Sequence, residues 1–201
     1  MVIGMAGGVG SGKSTVLSIM EQEYPVQICM ADELGHAALE QGTEAYEAVV
    51  AAFGEEILRG DGRVDRNVLS DIVYRDGKKL SVLNGIIHPY VKKEIRRQID
   101  QCPPGRLFVL ETAILFESGC DELCDEVWGV ITEDEIRVRR LMESRGYTRE
   151  KAESIMKKQM GNGELAKRCR RLIVNDGDRQ ELRRQIGTYA NEVVAILSKV
   201  W

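Results

Sequence analysis

The feature that most constrains this chain is the run Gly7-Gly8-Val9-Gly10-Ser11-Gly12-Lys13-Ser14, which fits G-x4-G-K-[ST] at every fixed position. An apolar run from Val2 to Ala6 leads into it, and a helical pattern from Ser14 to Glu23, opened by Ser14 and Thr15, leads out. A buried strand entering a glycine turn and leaving as a helix gives this spacing its mechanical meaning. The glycines let the backbone close round a phosphate so that successive N–H groups converge on it, and the positive end of the following helix adds to the field. Lys13 is placed to reach the β- and γ-phosphates, and the Ser14 hydroxyl is suited to coordinate Mg²⁺. Gly8, Val9, Gly10, Ser11, Gly12 and Thr15 complete the expected ATP contacts, Thr15 through its backbone at the α-phosphate.

The rest of the chain reads as an α/β domain built around that loop. Val26 to Met30, Leu107 to Glu111, Glu126 to Thr132 and Arg171 to Asn175 are further strands, five in all with Val2 to Ala6. Two charged helices, roughly Glu133 to Ser144 and Thr148 to Met160, precede the last strand, and a final helix is expected from Asp178 to the C-terminus. Strands separated by helices indicate a doubly wound five-stranded parallel sheet, with the ligand at the carboxyl ends of the strands. The stretch from Ala31 to Arg106 is too long for a simple crossover and reads as a helical insertion, the natural place for a second substrate. Within it, one helical pattern runs from Asp32 to about Leu58, broken or ended by Gly42 and Gly54. The turn Gly60-Asp61-Gly62-Arg63 follows. A second pattern, Arg66 to about Asp100, is expected to break at His88-Pro89, because proline starts a helix more readily than it sits inside one.

Composition excludes several alternatives. With 43% hydrophobic residues and no apolar run near the roughly 20 needed to cross a bilayer, the chain reads as soluble. A strand starting at Val2 leaves no room for a leader peptide, so a cytoplasmic location is expected. The five cysteines, Cys29, Cys102, Cys120, Cys124 and Cys169, contain no C-x-x-C and suggest neither a disulfide framework nor a zinc site. The net charge of −4 argues against nonspecific nucleic-acid binding. Charge is uneven, however: from Arg137 to Arg171 there are 12 Lys/Arg against 4 Asp/Glu. Such a stretch is either a solvated helical face or a mobile cationic cover for a polyphosphate.

Three acids stand near strand ends. Asp32 follows the second strand, where a carboxylate could accept the proton of an acceptor hydroxyl or cap the next helix. Glu111 ends the third strand, the place of a Walker-B-like acid that holds a metal-bound water, or of a charge with no metal role. Glu117, six residues later, is a helix-surface charge or a substrate contact. No Asn-Lys-x-Asp is present to read guanine, and the chain is compact, which favours a small-molecule kinase over a GTPase or motor. A kinase for a nucleoside monophosphate, shikimate or gluconate shares the loop; so does a nucleotide-binding regulator that has lost turnover.

Four stretches, in order, make the chain resemble one family in particular. They are Gly7 to Thr15, Ala31-Asp32-Glu33-Leu34-Gly35-His36, His88-Pro89-Tyr90-Val91 and Ile114-Leu115-Phe116-Glu117. A weaker tail follows in Arg140-Leu141-Met142, Gly146-Tyr147-Thr148, Gln159-Met160 and Ile173-Val174-Asn175-Asp176-Gly177. The sequence is similar to the dephospho-CoA kinases, which phosphorylate the ribose 3′-hydroxyl of dephospho-CoA. The resemblance implies a fold of the P-loop kinase type, ATP and dephospho-CoA as substrates, Mg²⁺ as cofactor, and a monomer or small homo-oligomer with no nucleic-acid or membrane partner.

It further implies a core of about 1–32, 100–136 and 169–201, an acceptor-binding helical insertion of about 33–99 and a helical lid of about 137–168. Lys13 and Asp32 become the catalytic pair, with Asp32 the base. Arg140 and Asn175 join the ATP site, Ser14 and Glu111 the metal site, and Asp32, His88 and Glu117 the acceptor site. His88 either lies beside the acceptor or packs a helix start, and no chemistry is assigned to it.

The chain departs from the family pattern at three places. Met30-Ala31-Asp32 stands where Asp-Ala-Asp is usual, Ala113-Ile114-Leu115 where Pro-Leu-Leu is usual, and Ser144 where an arginine is expected, with Arg145 displaced by one.

Overall fold

The computed structural model describes residues 1–197. The last four positions of the helix expected from Asp178 onward therefore lie outside the described residues. In chain order the elements are β1 (Val2–Ala6), α1 (Lys13–Glu23), β2 (Val26–Met30), α2 (Ala31–Ala37), α3 (Glu44–Phe53), α4 (Arg66–Arg75), α5 (Gly77–Asp100), β3 (Leu107–Glu111), β4 (Glu126–Ile131), α6 (Asp134–Arg145), α7 (Arg149–Lys157), α8 (Asn162–Arg168), β5 (Arg171–Val174) and α9 (Arg179–Leu197). Two compact units result, one of Met1–Cys29 with the chain from Gln101 onward, the other of Met30–Asp100.

The first unit is organised by a five-stranded parallel sheet in the order β2-β3-β1-β4-β5. Every residue of β1 and β3 is buried, as expected of parallel strands covered on both faces, which read as unbroken apolar runs. In register, Met5 of β1 stands beside Glu111 of β3 on one side and Trp128 of β4 on the other. The chain leaving β1 therefore emerges between the carboxyl ends of β3 and β4, the switch point of such a sheet. Gly4 makes a close approach possible: a Cβ there would lie 2.9 Å from both Cys124 Sγ and Leu115 Cδ2.

The second unit is all helical apart from one antiparallel bridge, Leu58 to Val64, that closes the glycine turn. Val49, Phe53, Ile57, Val64 and Leu69 form its core, with Leu83, Ile86 and Ile87 packed against it. The Thr43 hydroxyl accepts from Tyr46 N to start α3, and Asp65 accepts from the backbone N–H groups of Asn67 and Val68 to start α4. These two side chains do what capping residues do, which is to satisfy helix-end donors.

The helical pattern from Asp32 to about Leu58 breaks at Gly42, as expected, into α2 and α3; φ is 88° at Gly42 in the loop that parts them, and Gly54 ends α3. Two sequence expectations need correction here. The charged segment holds a third helix, α8, beyond the two expected. The break expected at His88-Pro89 lies instead at Asp76, whose carboxylate accepts from the N–H groups of Lys78 and Lys79 and starts α5, which then runs unbroken through Pro89. An internal proline costs on the order of 3 kcal/mol. Packing outweighs that cost: Val91 and Ile95 beyond the proline are buried, and Ile86 and Ile87 before it lie on the unit's core.

Candidate functional site

The glycine loop is shaped by its own backbone. Gly10 and Gly12 have φ of 77° and 89°, in the left-handed region that glycine enters without a Cβ penalty. Gly12 is the N-cap of α1 and brings no side chain to it, so no cap competes with an anion for the helix's first N–H groups. The Lys13 ammonium donates to the Gly7 carbonyl at 2.8 Å and lies 3.4 Å from Glu111 Oε1. The loop lysine and the acid that ends β3 are thus brought together across the β1–β3 pairing. Ser14 and Thr15 are exposed at the start of α1. The Ser14 hydroxyl and the Glu111 carboxylate each offer oxygen, the donor type Mg²⁺ takes when it keeps waters and substrate phosphates as its other ligands.

Side chains from distant parts of the chain brace the loop. Asn175, buried just after β5, donates through Nδ2 to Ser11 O at 2.7 Å. Its carbonyl accepts from Arg140 Nη2 at 2.8 Å, and Arg140 Nη1 reaches Gly10 O at 3.4 Å. The buried Thr132 hydroxyl lies within reach of Ser11 O at 3.0 Å and Asn175 O at 3.3 Å. A Cβ at Gly12 would collide with the Asn175 amide. At the crest of the loop, Val9 N donates to Gln159 Oε1 at 2.8 Å, and Val9 O accepts from Arg137 Nε at 3.0 Å. Sequence reading missed Thr132, Arg137 and Gln159 as site residues; only the Gln159-Met160 tail match pointed toward one of them.

Two cavities flank the loop. One of about 210 Å³ is lined by Gly7, Gly8, Thr112 to Glu117 and Lys158 to Met160. The other, about 230 Å³, is lined by Gly12, Thr15, Arg140, Asn175, Gly177, Asp178, Arg179 and Leu182. Of the residues expected at the acceptor, Glu117 lies in the turn after β3 and lines the first cavity.

Asp32 and His88 belong to the helical unit. Asp32 is exposed in the first turn of α2, and the N-cap of that helix is Met30, so the capping role open to Asp32 on sequence is not the one it takes. His88 is half-buried inside α5 and starts no helix. The Ser144 hydroxyl bonds back to Arg140 O at 2.6 Å, and Arg145 ends α6. The helical unit has its own cavity of about 560 Å³, lined by Leu39, Glu40, Gln41, Val64 and three arginines, Arg59, Arg63 and Arg66.

Among the described residues no three His, Cys, Asp or Glu side chains cluster as a metal site. None of the described helices is long and apolar enough to cross a membrane.

Comparison with known proteins converges on one family. A chain from Geobacillus kaustophilus named dephospho-CoA kinase is 38% identical over 188 residues, covering 92% of this chain and 93% of that one. One of the same name from Carboxydothermus hydrogenoformans is 39% identical over 189 residues, covering 93% and 91%. Among solved structures, TT1252 from Thermus thermophilus matches with a TM-score of 0.79 at 28% identity, over 100% of this chain and 98% of that one. The dephospho-CoA kinase of Campylobacter jejuni matches in fold with a TM-score of 0.73 at 22% identity, over 96% and 97%. The family profile described as dephospho-CoA kinase matches residues 1–181, from the first strand into the last helix, and with the phosphate loop standing where the sheet puts its ligands, the chain belongs to the dephospho-CoA kinase family.

Proposed function

We propose that the protein transfers the γ-phosphoryl group of ATP to the ribose 3′-hydroxyl of dephospho-CoA, giving coenzyme A and ADP. The observation that carries this reading is the complete phosphate loop, with Lys13 held between Gly7 O and Glu111 at the end of the two central strands, in a chain of this family. The acceptor oxygen attacks the γ-phosphorus as the bond to the β–γ bridging oxygen breaks, and the proton leaves the hydroxyl. Asp32 accepts that proton. Lys13 follows the charge of the migrating group, and the loop N–H groups hold the β-phosphate. Ser14 and Glu111 would hold Mg²⁺, which would supply charge neutralisation to the polyphosphate.

The adenosine of ATP is assigned to the cavity lined by Thr15, Arg140 and Asn175, and the acceptor to the one lined by Glu117. The arginine-lined cavity of the helical unit suits the acceptor's own diphosphate, since guanidinium groups pair with phosphate oxygens in a bidentate fork. His88 is assigned a packing role on the acceptor-binding unit. The helices α6 to α8 are read as a lid that excludes water from the reaction, and the location as cytoplasmic. One incubation tests the whole: purified protein with Mg-ATP and dephospho-CoA, analysed by mass. Coenzyme A and ADP in equal amounts support the reading. ADP without coenzyme A, or no turnover in folded protein, refutes it.

A further inference from the structure

Arg137 is 3% exposed, yet the carboxylate it pairs with, that of Asp134, lies largely in solvent. Nε donates to Val9 O at 3.0 Å and Nη1 to Asp134 Oδ1 at 3.2 Å, but the Asp134 side chain is 74% exposed and well screened. Nη2 is buried without a hydrogen-bond partner. Its direction is given by Gly8: a Cβ there would collide with Arg137 Nη2 and would lie 3.3 Å from Gln159 Oε1. A buried donor left unmade is costly, and more so for a charged group, so an arginine held this way calls for a compensating role. Burial also pulls its pKa below the usual arginine value, the mark of a desolvated cation.

The surroundings fit one role. Val9 has both backbone groups held by side chains, N by Gln159 and O by Arg137, and its side chain packs on Val138, Leu141 and Ala152. Gly10 rests against the Arg137 backbone, since a Cβ on it would lie 3.1 Å from Arg137 O. The crest of the phosphate loop is therefore seated on one residue of α6.

We propose that Arg137 is a positioning residue of the phosphate site that also supplies a buried positive charge beneath Gly8 and Val9, with Gln159 the neutral partner that holds the loop without cancelling that charge. The inference rests on the phosphate loop binding the ATP polyphosphate. Arg137 adds a second cation to the loop beside Lys13, which is held by Gly7 O and Glu111 instead. A glutamine at 159 rather than a glutamate follows directly. A carboxylate there would pair Nη2 and satisfy it, but would neutralise the charge the polyphosphate needs.

The test is nucleotide binding by calorimetry on the full chain without acceptor, so that it does not depend on coenzyme A formation. ADP is the probe and adenosine the control, with melting followed in parallel. Arg137→Lys, which keeps the charge, should hold ADP affinity within a few-fold. Arg137→Gln, which keeps a donor for Val9 O but no charge, should weaken ADP by roughly ten- to several-hundredfold, the range a unit charge at close range spans between bulk water and an intermediate dielectric, with adenosine unchanged. Gln159→Glu should melt higher, because Nη2 gains a partner, and yet bind ADP more weakly by a similar factor. If Arg137→Gln binds ADP as the parent does, the charge has no role and the residue is structural only. If Gln159→Glu melts higher with unchanged ADP affinity, the proposal is likewise overturned. Failure of ADP to bind the parent chain at all would instead count against the kinase reading.

Discussion

Lys13 and Glu111 form a buried ion pair, Nζ to Oε1 at 3.4 Å, with side chains 13% and 10% exposed, that joins the start of α1 to the end of β3. The pair ties the residue assigned to the migrating phosphoryl group to the acid assigned to the metal, so a change at either is felt at both. Lys13→Ala should abolish coenzyme A formation and should also lower stability by up to about 3 kcal/mol, because the buried Glu111 carboxylate loses the ammonium it pairs with at 3.4 Å. The double variant Lys13→Ala/Glu111→Gln should recover melting but not turnover. Measurable turnover in either folded variant refutes the assigned role of Lys13.

Asp32 lies in the first turn of α2, with Met30 at the cap position. Asp32→Asn should therefore leave melting within a degree or two while kcat falls by about 10²- to 10⁴-fold, the usual worth of a placed proton acceptor. ATP affinity should change little, as for an interaction made mainly in the transition state. Unchanged kcat would remove Asp32 from the chemistry.

Arg140 binds Gly10 O and Asn175 O while lining the cavity assigned to the adenosine. Arg140→Ala should raise the KM for ATP by roughly tenfold, the scale of a charge-assisted contact. Steady-state kinetics with ATP varied at saturating dephospho-CoA measures it. An unchanged KM with lowered melting would make Arg140 a brace of the loop alone.

Arg66 starts α4 and lines the arginine-bearing cavity of the helical unit, its guanidinium donating to His36 O at 3.2 Å. If that cavity takes the acceptor's diphosphate, Arg66→Ala should raise the KM for dephospho-CoA roughly tenfold and leave that for ATP untouched. Equal effects on both substrates would point to damage of the fold instead.

Burial pushes the Cys124 thiol up to about 12 from an ordinary value near 9, with Cys120, Asp121 and Asp125 adding repulsion. Because the folded chain holds this proton more tightly than the unfolded chain, the contribution to stability is complete below pH 9 and is lost progressively as pH rises toward 12. Cys124→Ala should flatten that alkaline decline in melting temperature relative to the parent. Parallel curves for the two proteins would show that the thiol does not couple to folding.

What the sequence determines by itself is whatever depends on neighbours in the chain. The phosphate loop is one contiguous run, and the apolar strands before and around it, Val2–Ala6, Val26–Met30 and Leu107–Glu111, occupy the residues read from pattern alone; the first and third are fully buried and carry that burial in their composition, while Val26–Met30 is mostly half-buried. Tertiary structure decides the rest. Thr132, Arg137, Gln159 and Asn175 lie 121 to 164 residues from the loop positions they hold, and no local spacing records that they meet. The helix through Pro89 is decided in the same way: local rules put a break there, and the burial of Val91 and Ile95 outweighs them. Local propensity is worth about 1–3 kcal/mol at a single position, whereas a packed apolar face adds contributions from many, so packing prevails wherever the two disagree.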